Sequence, residues 1–421
     1  MSTRTGKGAG RAAGRAPRRA QRRAVEDLAL LGGRPAFAEP LPVGAAVVGD
    51  RARLLERIRG VLDRRCFTDD GPLVREFEHQ LARSMGVRNC VATCSGTVGL
   101  EVLARAAGLA GEVIVPAFTS AATAHALRWL GLRPVFCDVD PATHTLDPAR
   151  VEERVGPRTS AILGVHLWGR TCEVEALVEI ARRRHLALFF DAAHAFGCTR
   201  GGRAVGGFGD AEVLSFHATM VLSTFEGGAV TTSNDALAHR LRLMRNLGCA
   251  GSGPAAGLGI NGRMNEMSAA AGLTGLETLE AHAGVNAGHH ERYRRGLDGQ
   301  RGLRVLRYPA EERNNYQFVV LEVDPGQAGL SRDRLVEVLR AENVLARSAY
   351  PAACHAVEPY RSEDPGAAQR LPVTERLAQR VLLLPTGPAL RSQDVDQVCR
   401  LVRFAVAHAQ ELEERLERRA A

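Results

Sequence analysis

The alternation of short apolar runs with amphipathic stretches between residues 90 and 232 constrains the fold most strongly. The runs are rich in β-branched residues, and segments with helical spacing, such as Val98–Ala107, Ala121–Leu130 and Val174–Arg183, lie between the earlier ones. Strands that alternate with helices form a predominantly parallel sheet covered on both faces. The predicted strands are Cys90–Thr93, Val113–Val115, Pro134–Cys137, Ala161–Val165, Ala187–Phe190, Val213–Phe216 and Ala229–Thr232.

Three regions follow from the pattern along the chain. Residues 1–27 are rich in Ala, Gly and Arg without an apolar period, which predicts a disordered basic tail. Residues 28–284 carry the alternation and are predicted to form a large α/β domain, and residues 285–421 a smaller α+β domain. The segments predicted outside the alternation are helices over Leu54–Leu62 and around Arg75–Leu81, a strand around Gln317–Val323, and helices around Arg332–Glu342 and from Gln393 to about Arg419.

The positive net charge belongs to the tail. Of the formal charge of +8, residues 1–25 contribute eight basic side chains and no acidic one, so the rest of the chain is balanced. This balance excludes a basic nucleic-acid-binding body. No apolar run has the roughly 18 residues that a membrane span needs. The nine scattered cysteines form no zinc pattern, so we expect no metal, reduced thiols and a cytoplasmic location.

Lysine is almost absent from the sequence. Lys7 is the only one, so 54 of the 55 basic residues are arginines. A guanidinium group stays protonated in proteins and does not act as an amine nucleophile. The chain beyond the tail therefore contains no side chain that can form an imine with an aldehyde.

Two motifs stand where predicted strands end, and ligands of such sheets bind there. Ser95-Gly96-Thr97 precedes a helix, whose N-terminus attracts anions. Asp191 ends an apolar strand with His194 three residues later; the carboxylate can hold a protonated ring nitrogen, and the histidine can reach a phenolic oxygen. Taken alone, each motif is also compatible with simple helix capping.

Further motifs follow in order, and together they resemble the DegT family of fold-type I, pyridoxal-phosphate-dependent sugar aminotransferases. The resemblance extends from about Leu28 to Ala405 and implies a three-layer sandwich with a mixed, mostly parallel sheet. It also implies nucleotide-linked keto or amino deoxysugar substrates and a homodimer with sites at the subunit interface. The motifs that carry it are Asp70-Gly71-Pro72, Val113-Ile114-Val115-Pro116, Val165-His166-Leu167-Trp168-Gly169, Asp191-Ala192-Ala193-His194, Ser215-Phe216-His217, Glu226-Gly227-Gly228, Asn261-Gly262-Arg263-Met264 and Tyr350-Pro351 with His355.

The resemblance also implies a role for individual residues. In the family these positions hold pyridoxal or pyridoxamine phosphate and border the sugar pocket. The implied contacts are Gly96, Thr97 and Ser215 for the cofactor phosphate, Asp191 for the pyridine nitrogen, His194 for the ring hydroxyl, Asn261 for the phosphate in the partner subunit, Ser120 for the face of the ring, and Tyr350 and His355 for the sugar.

Two positions depart from the family pattern. Met220 occupies the place of the lysine that binds the cofactor covalently and moves protons. A thioether does neither, and loss of a positioned acid–base alone costs about 10² to 10⁴ in rate. At the second position, relatives commonly place an aromatic residue where this chain has Ser120, which removes a stacking contact of about 1 kcal/mol.

Three explanations for Met220 remain open. The substitution is a recent accident; or the chain uses non-covalent pyridoxamine phosphate, with His217 or His194 as the base; or it is a catalytically silent relative. In the third case it would associate with an active enzyme of the same pathway.

Overall fold

The computed structural model describes residues 22–44, 47–251 and 253–420. Within them the chain forms fifteen strands and fourteen α-helices. The strands are β1 (Leu41–Pro42), β2 (Asn89–Thr93), β3 (Glu112–Pro116), β4 (Arg133–Cys137), β5 (Thr159–Val165), β6 (Ala187–Asp191), β7 (Thr199–Arg200), β8 (Arg203–Ala204), β9 (Ala211–Ser215), β10 (Gly228–Thr232), β11 (Leu303–Val305), β12 (Val319–Val323), β13 (Val344–Leu345), β14 (Arg347–Ser348) and β15 (Val381–Leu384). The helices are α1 (Arg51–Arg64), α2 (Pro72–Met85), α3 (Gly96–Ala106), α4 (Ala121–Trp129), α5 (Pro148–Arg154), α6 (Val174–Arg184), α7 (Asp235–Arg245), α8 (Glu266–Leu297), α9 (Pro325–Ala328), α10 (Arg332–Ala341), α11 (Tyr360–Glu363), α12 (Pro372–Arg380), α13 (Ser392–Ala407) and α14 (Ala409–Ala420).

The central sheet contains all seven strands that the alternation predicts. Their spatial order is β2-β10-β9-β6-β5-β3-β4. Strand β10 runs antiparallel to both neighbours, whereas the pairs from β9 to β4 are parallel. The predicted fold class, α/β with a mixed, mostly parallel sheet, is confirmed.

Helices cover both faces of this sheet because successive side chains of each strand point to opposite sides. On β3, Val113 and Val115 pack in one core cluster with α3, α4 and α7, while Ile114 packs in another with α2, α6 and α8. Every residue of this strand except Glu112 is buried. Burial on both faces explains why the predicted strands read as continuous apolar runs.

A second, antiparallel sheet of four strands has the order β11-β12-β15-β14 and packs with α10 and α13 around its own core. The long helix α8 joins the two parts, since it contacts α1 and α2 at one end and β11 and α13 at the other. The proposed domain boundary between residues 284 and 285 falls inside this helix. No described helix has the length and hydropathy that a membrane crossing requires.

The N-terminal segment packs against the second sheet's core. The predicted disorder of residues 1–21 concerns positions outside the described ranges, but residues 22–27 differ from that prediction. Val25 is fully buried, and the guanidinium of Arg22 donates to the buried carboxylate of Glu342. The same carboxylate accepts the backbone N–H of Ala29 at 3.0 Å and of Ala36 at 2.7 Å. These long-range contacts have no local sequence signal.

The predicted terminal helix from Gln393 to about Arg419 is two helices. Helix α13 ends at Ala407, and the next residue, His408, has a φ of −115° and a ψ of 25°, outside the helical range. The carbonyl of Phe404 lies 3.0 Å from Nδ1 of His408 and also accepts its backbone N–H at 3.1 Å. Apolar spacing continues through this break, so periodicity alone did not reveal it.

A buried arginine joins three segments of the first half of the chain. Arg245, at the end of α7, is 4% exposed and donates to Oε1 of Glu78 and to the carbonyl of Ala92, both at 2.5 Å. It also donates to Oδ1 of Asp70 at 2.8 Å. Burial raises the pKa of Glu78 although the Arg245 charge opposes that shift. The ion pairs with Glu78 and Asp70 therefore offset the desolvation cost of burying the Arg245 and Glu78 charges.

Candidate active site

Three of the predicted motifs meet at one edge of the central sheet. Strand β10 begins at Gly228, which is paired with Thr93 on one side and with Ser215 on the other. A Cβ atom on Gly96 would lie 3.0 Å from Cβ of Ser215. Asp191 is paired with Val213, two residues before Ser215. The order of the strands therefore brings Gly96, Ser215 and Asp191 together from separate parts of the sequence.

The N-terminus of α3 forms a small concave surface with free donors. Ser95 caps the helix, accepting the N–H of Val98 on its hydroxyl at 3.2 Å and the N–H of Gly99 on its carbonyl at 3.0 Å. The N–H groups of Gly96 and Thr97 precede these bonds and have no intrahelical acceptor. A Cβ on Gly228 would lie 2.5 Å from the Gly96 nitrogen. Glycine at both positions lets β9 and β10 approach the start of α3, where free N–H groups at the positive end of the helix can bind a phosphate.

Asp191 is a buried carboxylate with one side-chain partner. It is 8% exposed, accepts the hydroxyl of Thr123 on Oδ2 at 2.8 Å and accepts the N–H of Ala193 on Oδ1 at 3.1 Å. Burial raises its pKa, and these two hydrogen bonds act against that shift. A protonated ring nitrogen is the kind of group that such a carboxylate stabilises.

Thr123 is a functional residue that the sequence analysis missed. It lies on the first turn of α4, and the hydroxyl of Ser120 caps that helix by accepting the N–H of Ala122 at 3.3 Å. The only available signal was that the helix begins just after the end of β3, at the same edge of the sheet. Ser120 itself is exposed, and its hydroxyl is engaged in the cap.

His194 lies in an aromatic environment beside the same edge. Its Nδ1 accepts the backbone N–H of Trp168 at 3.3 Å, and the two rings stack with centroids 5.4 Å apart at 18°. Burial lowers the pKa of His194 to about 4. The ring is therefore neutral at neutral pH, and because Nδ1 accepts a hydrogen bond, Nε2 carries the proton as a donor.

Trp168 is fixed by a chain of buried polar groups. Its indole N–H donates to Nδ1 of His144 at 3.3 Å, and Nε2 of His144 lies 2.6 Å from Oε1 of Glu322 on β12. On its other side Trp168 stacks against Tyr350, with centroids 5.5 Å apart at 25°. The structure thus places Tyr350, predicted to border the sugar pocket, in the same cluster as His194.

Met220 lies in the loop after β9, next to the His194 segment. Its N–H donates to the carbonyl of His217 at 2.9 Å, which closes a tight turn. Nε2 of Gln317 lies 3.8 Å from Sδ of Met220 and donates to the carbonyl of His194 at 3.1 Å. Oε1 of Gln317 accepts the N–H of Val221 at 2.7 Å. Sequence reasoning missed Gln317, because no local pattern links it to residues almost 100 positions earlier.

His217 lies on the solvent side of this loop. Its side chain is 48% exposed, with Nδ1 accepting the N–H of Thr219 at 3.3 Å and Nε2 lying 3.6 Å from Oε1 of Glu226. The imidazole therefore stays accessible to protons from water, unlike the buried ring of His194.

The structure places His355 in a buried position, and its predicted contact with the sugar stays a prediction. His355 is 3% exposed, with Nε2 2.8 Å from Oε1 of Glu375 and its ring against Phe136. Burial lowers its pKa. The 3₁₀ turn that carries it is bound to the chain after β3 through Cys354, whose N–H donates to the Ala117 carbonyl at 2.9 Å, so the ring is enclosed.

Asn261 is exposed, and its segment is bonded to the end of β2 through Gly262, whose carbonyl accepts the N–H of Cys94 at 2.8 Å. Among the residues that the structure describes, no group of His, Cys, Asp and Glu side chains has the arrangement of a metal site.

Comparisons with known proteins agree with this architecture. Residues 49–403 match the model of the DegT/DnrJ/EryC1/StrS aminotransferase family. The chain is 33% identical to a dTDP-4-amino-4,6-dideoxy-D-glucose transaminase of Shigella dysenteriae, over 80% of this chain and 91% of that protein. It is 34% identical to the GDP-perosamine synthase of Caulobacter vibrioides, over 78% and 88% of the two chains.

Two solved structures are also similar to this chain in both fold and sequence. The structure of DesI in the presence of its TDP-sugar product superposes with a TM-score of 0.88 at 47% identity, covering 94% of this chain and all of DesI. DesV of S. venezuelae, in complex with a ketimine intermediate, superposes with a TM-score of 0.81 at 31% identity, over 88% and 99% of the two chains. The chain belongs to the DegT/DnrJ/EryC1/StrS aminotransferase family of fold-type I enzymes.

Proposed function

We propose that this protein binds pyridoxamine or pyridoxal phosphate without a covalent bond and acts on a nucleotide-linked keto deoxysugar by chemistry other than lysine-dependent transamination. The observation that carries the proposal is Met220. It lies in the loop after β9, where Gln317 contacts both its sulfur and the His194 carbonyl, in a chain whose single lysine is Lys7. Support comes from three other residues that would hold the cofactor, Gly96, Ser215 and Asp191, which lie at one edge of the central sheet.

The site fits a pyridine ring that carries a phosphate. Gly96, Thr97 and Ser215 would bind the phosphate, Asp191 would pair with the ring nitrogen, and His194 would donate Nε2–H to the ring oxygen. When bound, pyridoxamine phosphate supplies a primary amine and an electron-accepting ring. The buried hydroxyl of Thr123 orients Asp191.

The substrate class is proposed from the relatives. Their names include dTDP-4-amino-4,6-dideoxy-D-glucose transaminase and GDP-perosamine synthase, and DesI was solved with a TDP-sugar product. Each of these names contains a nucleotide or a nucleotide-linked sugar, and we propose a nucleotide-linked keto deoxysugar as the substrate of this chain.

A residue other than the one at position 220 has to act as the acid–base, because relatives use a lysine there and this chain has Met220. The thioether of Met220 binds no proton at neutral pH, and His194 is held neutral with its donor nitrogen already fixed. His217 is exposed, three residues from Met220 and opposite the Glu226 carboxylate. We therefore propose His217, with Glu226, as the pair that holds and releases a proton at this edge of the site.

A cofactor titration tests the proposal. We expect pyridoxamine phosphate to raise the Tm of the wild-type protein and to be removed by dialysis, and pyridoxal phosphate followed by borohydride to leave no pyridoxyl group on residues 22–420. Asp191→Ala should abolish the shift in Tm because it removes the partner of the ring nitrogen. Glu26→Ala, far from the sheet edge, is the matched control. If neither pyridoxamine nor pyridoxal phosphate shifts the Tm at millimolar concentration, the silent-relative hypothesis is favoured instead.

We also propose that the working unit is a homodimer. Large apolar side chains are exposed on the segment that carries Asn261 and elsewhere, and one backbone hydrogen bond joins two of them: Leu247 N–H donates to the Ile260 carbonyl at 3.0 Å. A cluster of this kind marks an interface. With a second copy in contact, Asn261 would reach the phosphate of the partner's cofactor. The exposed residues are Phe67, Phe225, Leu247, Leu258 and Ile260.

Substitution within this apolar cluster should separate the subunits. Leu258 is 70% exposed, and we expect Leu258→Asp combined with Ile260→Asp to give monomers in sedimentation analysis and to weaken pyridoxamine phosphate binding. Trp129→Asp is the control, because Trp129 is 84% exposed but lies on α4, away from the cluster. A wild-type chain that is monomeric, or that purifies only with another pathway enzyme, would contradict the homodimer and support a heteromer.

A further inference from the structure

Asn261 lies on a segment that main-chain hydrogen bonds fix from two sides. The carbonyl of Gly262 accepts the N–H of Cys94 at 2.8 Å, and the N–H of Gly262 donates to the carbonyl of Arg245 at 2.9 Å. The backbone of Asn261 is thereby held near the end of β2. Its side chain is exposed, so these bonds set its position but leave the rotation of the amide undetermined.

One neighbour determines that rotation. Nε of Arg263 donates to Oδ1 of Asn261 at 3.2 Å. Arg263 is held in turn by Oδ1 of Asn246 at 3.1 Å and by the carboxylate of Asp69. Nδ2 of Asn261 makes no hydrogen bond within the described residues, so its two N–H donors are available to a ligand.

We propose that Arg263 is a positioning residue that fixes the amide of Asn261 with its NH₂ group facing the cofactor phosphate of the partner subunit. The inference rests on the proposed function. A guanidinium group has only donors, so it makes a hydrogen bond with the amide oxygen and not with the nitrogen. Rotation by 180° would turn that oxygen toward the phosphate, where two acceptors repel each other. Hydrogen bonds to Asp69 and Asn246 keep the guanidinium group beside Asn261.

The test is a double-mutant cycle on two ligands. Binding of pyridoxamine phosphate and of pyridoxamine, which lacks the phosphate, is measured by calorimetry on dimeric protein. Arg263→Gln should weaken pyridoxamine phosphate binding about tenfold, the loss expected for one hydrogen bond to a charged group. Asn261→Ala should weaken it by a similar factor, and adding Arg263→Gln to Asn261→Ala should cause no further loss. Binding of pyridoxamine should stay unchanged in every variant.

Two controls separate positioning from charge. Arg263→Lys keeps the charge but loses the planar fork, so it should bind pyridoxamine phosphate as weakly as Arg263→Gln. Arg263 and Arg242 line one cavity of about 620 Å³. Arg242 is exposed, and Arg242→Gln should leave the affinity for pyridoxamine phosphate unchanged. Additive losses in the cycle, or wild-type affinity in Arg263→Lys, would overturn the inference alone. A wild-type protein that binds no pyridoxamine phosphate would overturn the proposed function and this inference with it.

Discussion

Met220→Lys is expected to convert reversible cofactor binding into covalent attachment. In the wild-type protein no amine lies at the site, so borohydride should trap no pyridoxal phosphate on residues 22–420. A lysine at position 220 would extend from the turn closed by the His217 carbonyl toward the Gln317 amide, which contacts Met220 at present. Peptide mass mapping after borohydride treatment should then place one pyridoxyl group on residue 220.

The control for this variant is Met244→Lys. Met244 is half-buried on α7 and packs on the other face of the sheet, so a lysine there should remain unmodified under the same conditions. If Met220→Lys binds pyridoxal phosphate non-covalently and no adduct forms, the side chain at 220 does not face the aldehyde. In that case the interpretation of Met220 as the substituted lysine is wrong.

Arg245→Met should lower the free energy of unfolding by about 3–5 kcal/mol, the cost of leaving one partner of a buried ion pair uncompensated. Glu78 loses its cation inside the core, and the Ala92 carbonyl loses its donor. Urea denaturation measures the loss. Arg242→Met, one turn earlier on α7 and exposed, removes the same charge and should change stability by less than about 0.5 kcal/mol.

The pH dependence of the stability of Arg245→Met gives a second test of the unpaired charge. Burial raises the pKa of Glu78 in the folded protein, and without Arg245 the pKa should rise further. A carboxyl group with a raised folded pKa binds more protons in the folded state, so stability falls as pH rises through that value. Arg245→Met should therefore be least destabilised in mild acid, and Glu78→Gln should restore part of its stability at neutral pH. An equal loss at all pH values would mean that lost packing, and not the unpaired charge, causes the effect.

The sequence predicted the sheet well because strand formation there is a local property. Runs such as Val113–Val115 are buried on both faces, and their apolar character is visible without knowledge of any partner. Asp191 and His194 were also found, since they directly follow such a run. The prediction for Met220 has a different origin, since it comes from the resemblance of the surrounding motif to the family and stays a prediction.

Other parts of the site depend on residues that meet only in the folded chain. Thr123 bonds Asp191 across 68 positions, and Gln317 reaches Met220 across 97. The contact of His144 with Glu322 spans 178. Nothing in the periodicity around these residues indicates their partners. The contact of His355 with Glu375, across 20 positions, is likewise not visible in the motif that carries the histidine.

The attachment of the N-terminal segment has a consequence for how the protein is made. Arg22 and its acceptor Glu342 are separated by 320 positions. While a ribosome is still translating the central sheet, the residues that will cover the segment do not exist yet. Residues 22–36 therefore acquire these neighbours only after Glu342 has been synthesised, later than all strands of the central sheet.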